Sequence, residues 1–104
     1  MAFVKVADLA EVDPGELLGV RIGGRGVCLA RVDDEVYAFA DNCSHRDFPL
    51  SSGEIDTDDC SITCDWHGAR FDIRTGAALS LPATRPIRVY PCRVEDGAVL
   101  VDVG

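Results

Sequence analysis

Two short segments of this chain each combine a cysteine with a histidine. The first is a C-x-H segment at Cys43 and His45, and the second is a C-x-x-H segment at Cys64 and His67. Together they use both histidines of the chain. Thiolate and imidazole groups are typical metal ligands, and two such mixed pairs are improbable by chance in this composition. The pattern therefore predicts one metal site built from these four residues.

The spacing of the four ligands bears on which metal they hold. Two cysteines and two histidines can bind one tetrahedral Zn²⁺, but zinc fingers usually pair cysteine with cysteine and histidine with histidine. One residue between Cys43 and His45 leaves little room for both to reach the same ion. A 2Fe-2S cluster that takes two cysteines on one iron and two histidines on the other removes this difficulty. The spacing favours iron–sulfur, and a zinc-stapled interaction module remains the alternative.

The remaining cysteines do not indicate a disulfide framework. The chain has five cysteines, an odd number, and clustered thiols without an export signal are more often metal ligands or redox groups. Cys28 and Cys92 lie in apparent strands, so we predict that they fill the core, as free cysteines commonly do. Cys60 lies at the end of a polar run and is predicted to be a core residue, with an exposed thiol as the alternative.

Length, composition and charge narrow the class of protein. The 104 residues, 47% of them hydrophobic, predict a single packed domain over residues 1–104. A net charge of −8 argues against binding to nucleic acid or to an anionic membrane surface. No apolar run approaches the roughly 18 residues of a membrane span, and the first residues do not resemble a secretory signal. We therefore expect a soluble cytoplasmic protein.

Short β-rich runs separated by turn signals must position the ligand segments. This alternation predicts an all-β protein, a sandwich or a barrel. The predicted strands are 17–22, 27–32, 36–40, 61–64, 70–73, 87–94 and 98–103, with turns at 23–26, 33–34, 65–68, 75–76 and 95–97. Helix signals are poor, because Pro14 and Gly15 interrupt the one candidate stretch, between Leu9 and Leu18. Both ligand segments thus fall on turn-rich stretches between strands.

At this point the chain resembles the Rieske iron–sulfur domain. The resemblance rests on the C-x-H and C-x-x-H segments and on the residues that follow them, which are Gly53-Glu54, Gly68, Phe71-Asp72, Thr75-Gly76 and the stretch 80–83. It covers nearly the whole chain. The chain looks most similar to the small Rieske-type ferredoxins that serve bacterial aromatic-ring-hydroxylating dioxygenases.

The resemblance implies an antiparallel β-sandwich with a cluster-binding subdomain at one tip. It implies one Rieske 2Fe-2S cluster, with Cys43 and Cys64 on the inner iron and His45 and His67 on the outer iron. A third loop, around Pro82, would shield the cluster from water. The expected activity is one-electron transfer, from a flavin-dependent reductase to a terminal non-haem iron oxygenase, by a monomer that carries out no catalysis itself.

The resemblance also bears on the reduction potential. High-potential Rieske proteins of respiratory complexes carry two extra cysteines that cross-link the ligand loops, at positions that hold Phe48 and Trp66 here. They also carry a serine and a tyrosine whose hydroxyls donate to the cluster or to a ligand sulfur, where this chain has Ala69 and Phe71. Such hydrogen bonds raise the potential. We therefore expect a potential near the lower end of the Rieske range.

A second function keeps the cluster but changes the partners. Similar ferredoxins accompany iron–sulfur assembly systems, and a related fold forms the small subunit of assimilatory nitrite reductase. That subunit often lacks the cluster ligands, so the presence of all four here argues against the nitrite-reductase role.

Overall fold

The computed structural model of the chain describes residues 3–42, 49–64, 68–80 and 85–103. The described chain is built of short strands and two single 3-10 turns, at Leu9–Glu11 and Leu50–Ser52. The strands are β1 (Val4–Asp8), β2 (Leu17–Ile22), β3 (Arg25–Val32), β4 (Glu35–Ala40), β5 (Glu54–Asp56), β6 (Ser61–Thr63), β7 (Arg70–Asp72), β8 (Ala78–Ser80), β9 (Val89–Tyr90), β10 (Cys92–Glu95) and β11 (Ala98–Val101). The all-β prediction is confirmed. Within these ranges no helix is long and apolar enough to cross a membrane.

The strands form three antiparallel sheets. The terminal sheet has the order β1-β11-β10, the central sheet β2-β3-β4-β9, and the ligand sheet β5-β6-β7-β8. We name the last one for the second predicted ligand segment, which lies between its strands β6 and β7. Consecutive strands are mostly neighbours, as expected for a fold made of hairpins.

The central sheet is buried on both faces. Along β3, Cys28 and Ala30 belong to the core shared with the ligand sheet, whereas Val27 and Leu29 belong to the core shared with the terminal sheet. Successive side chains of a strand point to opposite faces, so a strand between two layers needs apolar residues at every position. This requirement explains the unbroken apolar run of residues 27–30, all of which are buried.

Tight turns set the register of the hairpins as predicted. Two residues connect β2 to β3 (Gly23–Gly24), β3 to β4 (Asp33–Asp34) and β10 to β11 (Asp96–Gly97). Both glycines of the first turn, Asp33 in the second and both residues of the third have positive φ, between 51° and 86°. Glycine and aspartate tolerate this backbone conformation better than most residues, which is why these sequences form turns.

One predicted strand is wrong, because the run 87–94 does not form a single strand. It divides at Pro91 into β9, which pairs with β4 of the central sheet, and β10, which pairs with β11 of the terminal sheet. Proline has no N–H to donate to a ladder and so does not continue a paired strand. The division lets the chain pass from one sheet to the other.

Candidate metal centre

The described residues include one of the four predicted ligands. Cys64 directly follows β6 and is fully buried. Cys43, His45 and His67 lie outside the described residues, as do Phe48, Trp66 and residues 81–83 of the third loop, which is predicted over residues 79–83. The structure therefore describes the bases of the three loops rather than their tips.

The second ligand segment is a closed hairpin loop between β6 and β7. Thr63 pairs with Arg70 across the hairpin, and the N–H of Cys64 donates to the carbonyl oxygen of Ala69 at 2.6 Å. Gly68 has a φ of +72°, a left-handed conformation that side chains disfavour. The six residues 64–69 thus have both ends fixed to the ligand sheet, and His67 belongs to this loop.

The surroundings of Cys64 suit a metal-bound thiolate. Cys64 belongs to the same core cluster as Leu50, Ala69 and Phe71, each of which is fully buried. A thiolate left alone among apolar side chains is costly, whereas coordination to iron neutralises it. Two thiolates and two imidazoles are the donor set of a mixed-ligand 2Fe-2S site. The residues present therefore fit this group.

The first ligand segment is anchored on both sides. Asp41 lies one residue beyond β4, and its N–H donates to the carbonyl oxygen of Gly26 at 3.0 Å. On the far side, Leu50 is fully buried. Asp41 then joins the two sides directly, because its carboxylate accepts hydrogen bonds from the N–H and the hydroxyl of Ser51, each at 2.7 Å.

The two ligand segments meet at their bases. A Cβ built on Gly53 would overlap the carbonyl oxygen of Thr63, so these two backbones are in direct contact. Thr63 immediately precedes Cys64, and Gly53 follows the first ligand segment. Only glycine allows this approach, which brings the residues that flank the two ligand segments into contact.

The third loop has fixed ends as well. On the near side of the loop, the hydroxyl of Ser80 accepts a hydrogen bond from the N–H of Arg70 at 3.2 Å. Beyond the loop, the N–H of Ile87 donates to the carbonyl oxygen of Gly76 at 2.8 Å. Ser80 and Ile87, one on each side of residues 81–86, are therefore both bonded to residues in or next to the ligand sheet.

A polar network stiffens the hairpin that carries Cys64. The hydroxyl of Ser61 donates to Asp59 at 2.6 Å, and the guanidinium of Arg70 donates to both residues, at 2.6 Å to Asp59 and 3.0 Å to Ser61. The hydrogen bond from Ser61 is the main cause that lowers the pKa of the Asp59 carboxyl; burial opposes it, and the hydrogen bond and charge of Arg70 lower the pKa further. The network thus connects strand β7 with the turn that precedes β6.

The other cysteines have mostly the predicted environments. Cys28 is fully buried, and burial, with a smaller contribution from Asp41, raises the pKa of its thiol. Cys92 is partly buried, and burial raises the pKa of its thiol to about 11. Cys60 is partly buried against the core that contains Cys64. The prediction of a core residue is thus confirmed fully for Cys28 and in part for the other two.

Sequence reasoning missed Asp41 and Ser51, which connect the two sides of the first ligand segment. Polar residues at the ends of a loop commonly bond the backbone nearby, so their residue types offered a signal. Their pairing with each other depends on the course of the intervening segment and was not predictable. A surface depression of about 690 Å³ lies between β4 and β9–β10, and none of the described residues of the ligand segments lines it.

The fold is that of a small antiparallel β protein in which the bases of the two cysteine–histidine segments are in contact. The sequence profile of the Rieske 2Fe-2S domain matches residues 2–91. Over 103 residues the chain is 37% identical to the ferredoxin component of biphenyl 2,3-dioxygenase from Rhodococcus jostii strain RHA1, covering 99% of this chain and 94% of that protein.

Solved structures agree with the sequence comparison. The ferredoxin of carbazole 1,9a-dioxygenase from Nocardioides aromaticivorans IC177 superposes with a TM-score of 0.93 at 36% identity, covering 97% of each chain. A chain from a complex of reduced oxygenase and oxidised ferredoxin in carbazole 1,9a-dioxygenase superposes with a TM-score of 0.87 at 35% identity, covering 95% of this chain and 91% of that one.

The chain belongs to the Rieske 2Fe-2S domain family. Its cofactor is accordingly a Rieske-type 2Fe-2S cluster, and the expectation of iron–sulfur rather than zinc is confirmed at the level of the family. The relatives named above are ferredoxin components of dioxygenase systems, that is, electron carriers rather than catalytic subunits.

Proposed function

We propose that this chain carries single electrons from a flavin-dependent reductase to a terminal non-haem iron oxygenase of the ring-hydroxylating type. The observation that carries the proposal is the similarity to dioxygenase ferredoxin components over 99% of this chain. A related ferredoxin has been captured with its oxygenase in carbazole 1,9a-dioxygenase, which supports direct contact between carrier and oxygenase.

We further propose that Cys43 and Cys64 bind the inner iron and that His45 and His67 bind the outer iron. The burial of Cys64 in an apolar core supports its role as an inner ligand. The neutral imidazoles remove negative charge from the ligand set, which raises the potential above that of a four-cysteine site. When bound, the cluster supplies reversible one-electron chemistry.

The proposal includes a single domain over residues 1–104 that works as a cytoplasmic monomer. The radius of gyration, 12.5 Å, is close to the roughly 13 Å expected for a compact domain of about 100 residues. The thiols of Cys28, Cys60 and Cys92 form no disulfide, as suits a reducing compartment.

The ligand assignment is tested by substituting the cysteines one at a time and measuring iron, acid-labile sulfide and the spectrum of the purified protein. Cys43→Ser and Cys64→Ser should abolish cluster assembly. Cys60→Ser and Cys92→Ser are matched controls, because they remove thiols outside the ligand set, and they should retain iron and sulfide in equal amounts. The assignment would be overturned if Cys60→Ser and Cys92→Ser lost the cluster while Cys43→Ser and Cys64→Ser kept it.

The histidines are tested by spectroscopy. His45→Cys and His67→Cys should either abolish assembly or change the visible and EPR spectra sharply, because each replaces a neutral ligand by an anionic one. An unchanged spectrum in either variant would remove that histidine from the ligand set. A colourless wild-type protein that contains zinc and cannot be reconstituted with iron and sulfide would refute the electron-carrier function.

A further inference from the structure

The two ends of the first ligand segment are joined by Asp41 and Ser51. We propose that these residues form a clamp that fixes the span of the loop and so positions Cys43 and His45 at the cluster. The proposal rests on the ligand assignment given above and extends it to residues that do not themselves bind iron. Asp41 and Ser51 are positioning residues in this scheme.

The clamp uses both oxygens of one carboxylate. Oδ1 of Asp41 accepts the backbone N–H of Ser51, and Oδ2 accepts its hydroxyl, each at 2.7 Å. Hydrogen bonds to a charged acceptor are shorter and stronger than neutral ones, and a two-point contact also fixes the relative orientation of the partners. Both residues are partly buried, which weakens competition from water.

Each half of the clamp is tied to the scaffold independently. Asp41 is held to β3 by the bond from its N–H to Gly26. Ser51 lies in the 3-10 turn that begins at the fully buried Leu50, and the N–H of Gly53 closes this turn on the carbonyl oxygen of Leu50 at 2.9 Å. The clamp therefore connects two fixed points, one on each side of the first ligand segment and ten positions apart in the chain.

A glycine on the neighbouring strand leaves space for the clamp. A Cβ on Gly19 of β2 would lie 2.9 Å from the hydroxyl oxygen of Ser51 and 3.0 Å from Oδ2 of Asp41, closer than side chains normally approach. Any larger residue at this position would force the hydroxyl of Ser51, and with it the contact to Asp41, to shift. The absence of a side chain at Gly19 thus leaves room for Asp41 and Ser51 beside the central sheet.

The clamp acts on both ligands of the first segment because Cys43 and His45 lie within the loop that it closes. Metal ligands must be held to within about 0.5 Å of their working geometry by the residues around them. Without the clamp, the loop keeps its anchors at Gly26 and Leu50 but loses the direct link between its ends. We expect faster loss of the cluster and altered ligand geometry.

The test compares variants of the holoprotein that break, stretch or preserve the clamp. Asp41→Ala removes both hydrogen bonds, Ser51→Ala removes one, and Gly19→Ala forces the hydroxyl of Ser51 to shift while both partners remain present. Asp41→Asn keeps the shape, because the amide oxygen can accept the N–H of Ser51 and the amide NH₂ can donate to its hydroxyl. Asp41→Asn therefore distinguishes the effect of the clamp's hydrogen-bond geometry from the effect of the carboxylate charge.

Two matched controls lie outside the clamp. Asp56→Ala removes another carboxylate that accepts a backbone N–H, that of Asp58, on an exposed turn. Gly97→Ala adds a methyl group in open space on the turn between β10 and β11. The measurements are the EPR spectrum of the reduced protein and the rate at which visible absorbance disappears in excess iron chelator.

Asp41→Ala and Gly19→Ala should lose the cluster about tenfold faster than wild type and shift the EPR g values, because loss of a charge-assisted contact is costly. Ser51→Ala should be intermediate, Asp41→Asn should recover most of the retention, and both controls should match wild type. If Asp41→Ala does not fold, Gly19→Ala and Ser51→Ala decide the question.

The proposal would be overturned if the clamp variants had the same EPR spectra and the same rates of cluster loss as wild type. It would also be overturned if Asp41→Asn lost the cluster as fast as Asp41→Ala. These failures are distinct from a failure of the proposed function. A wild-type protein without a Rieske spectrum would refute the carrier function before any variant is made. A normal wild-type spectrum with unaffected variants would refute only the clamp.

Discussion

At the scale of single residues, two apolar side chains bear on the reduction potential. Ala69 and Phe71 follow the second ligand segment, are fully buried, and share a core cluster with Cys64. Neither can donate a hydrogen bond from its side chain. Because donors to the cluster or its sulfur ligands raise the potential, we expect a midpoint near the lower end of the range of roughly −150 to +300 mV.

Ala69→Ser should raise this midpoint. A new hydrogen bond worth about 0.5–1.5 kcal/mol more in the reduced state corresponds to about 20–60 mV for one electron. Redox titration of the two holoproteins checks the shift. Ala38→Ser is the control, since it adds the same hydroxyl to a buried alanine of the other core, and its midpoint should equal that of wild type. A strongly positive wild-type midpoint would contradict the argument.

At the scale of elements, glycines allow segments to meet where side chains would collide. Gly53 lies against Thr63 at the base of the ligand loops, and Gly76 lies against Ile87 beyond the third loop. Gly76 also has a φ of +82°, and its carbonyl oxygen accepts the N–H of Ile87. These contacts, rather than strand pairing alone, hold the loop bases together.

Substitution of Gly76 and Gly97 by alanine separates crowding from backbone strain. Gly97 has a similar φ of +76° but open space around its Cβ position, so Gly97→Ala should cost only the left-handed strain, about 1–2 kcal/mol. Gly76→Ala adds an overlap with the carbonyl oxygen of Ile87, and we expect a total of about 2–5 kcal/mol. Chemical unfolding of each holoprotein measures both costs. Equal losses of unfolding free energy in the two variants would show that the structure around Gly76 accommodates the added methyl group without further strain.

At the scale of the whole molecule, the sheets form layers and the surface is acidic. The central sheet separates two cores, one shared with the terminal sheet and one that contains Cys64. The formal net charge is −8. The oxidised cluster core and two thiolates cancel in charge, so the oxidised holoprotein stays near this value and one added electron makes it more negative. Such a field would steer the carrier toward a partner whose docking surface is basic.

Salt should therefore slow electron transfer between this carrier and its oxygenase. The screening length falls from about 30 Å at 0.01 M to about 10 Å at 0.1 M ionic strength, which removes most long-range attraction. Stopped-flow oxidation of the reduced carrier by the oxygenase should show a second-order rate constant that falls severalfold over this range. A rate constant independent of salt would mean that the acidic surface serves solubility and not encounter.

The sequence alone was enough to predict the all-β class, most hairpins and the identity of the proposed ligands. These properties depend on short-range information: residue alternation along a strand, turn residues with positive φ, and ligand spacing within a few residues. Pro91 was visible in the sequence, yet the run around it was predicted as one strand, because apolar alternation continues on both sides.

Only the tertiary structure decided how the ligand segments are held. The Asp41–Ser51 clamp, the space left by Gly19, and the contact of Gly53 with Thr63 join residues that are ten or more positions apart in the chain or lie on different strands. No local pattern encodes such pairs, because aspartate, serine and glycine are all common in ordinary turns and loops. Their partners are set by how three sheets pack, and that packing brings the bases of the two predicted ligand loops together.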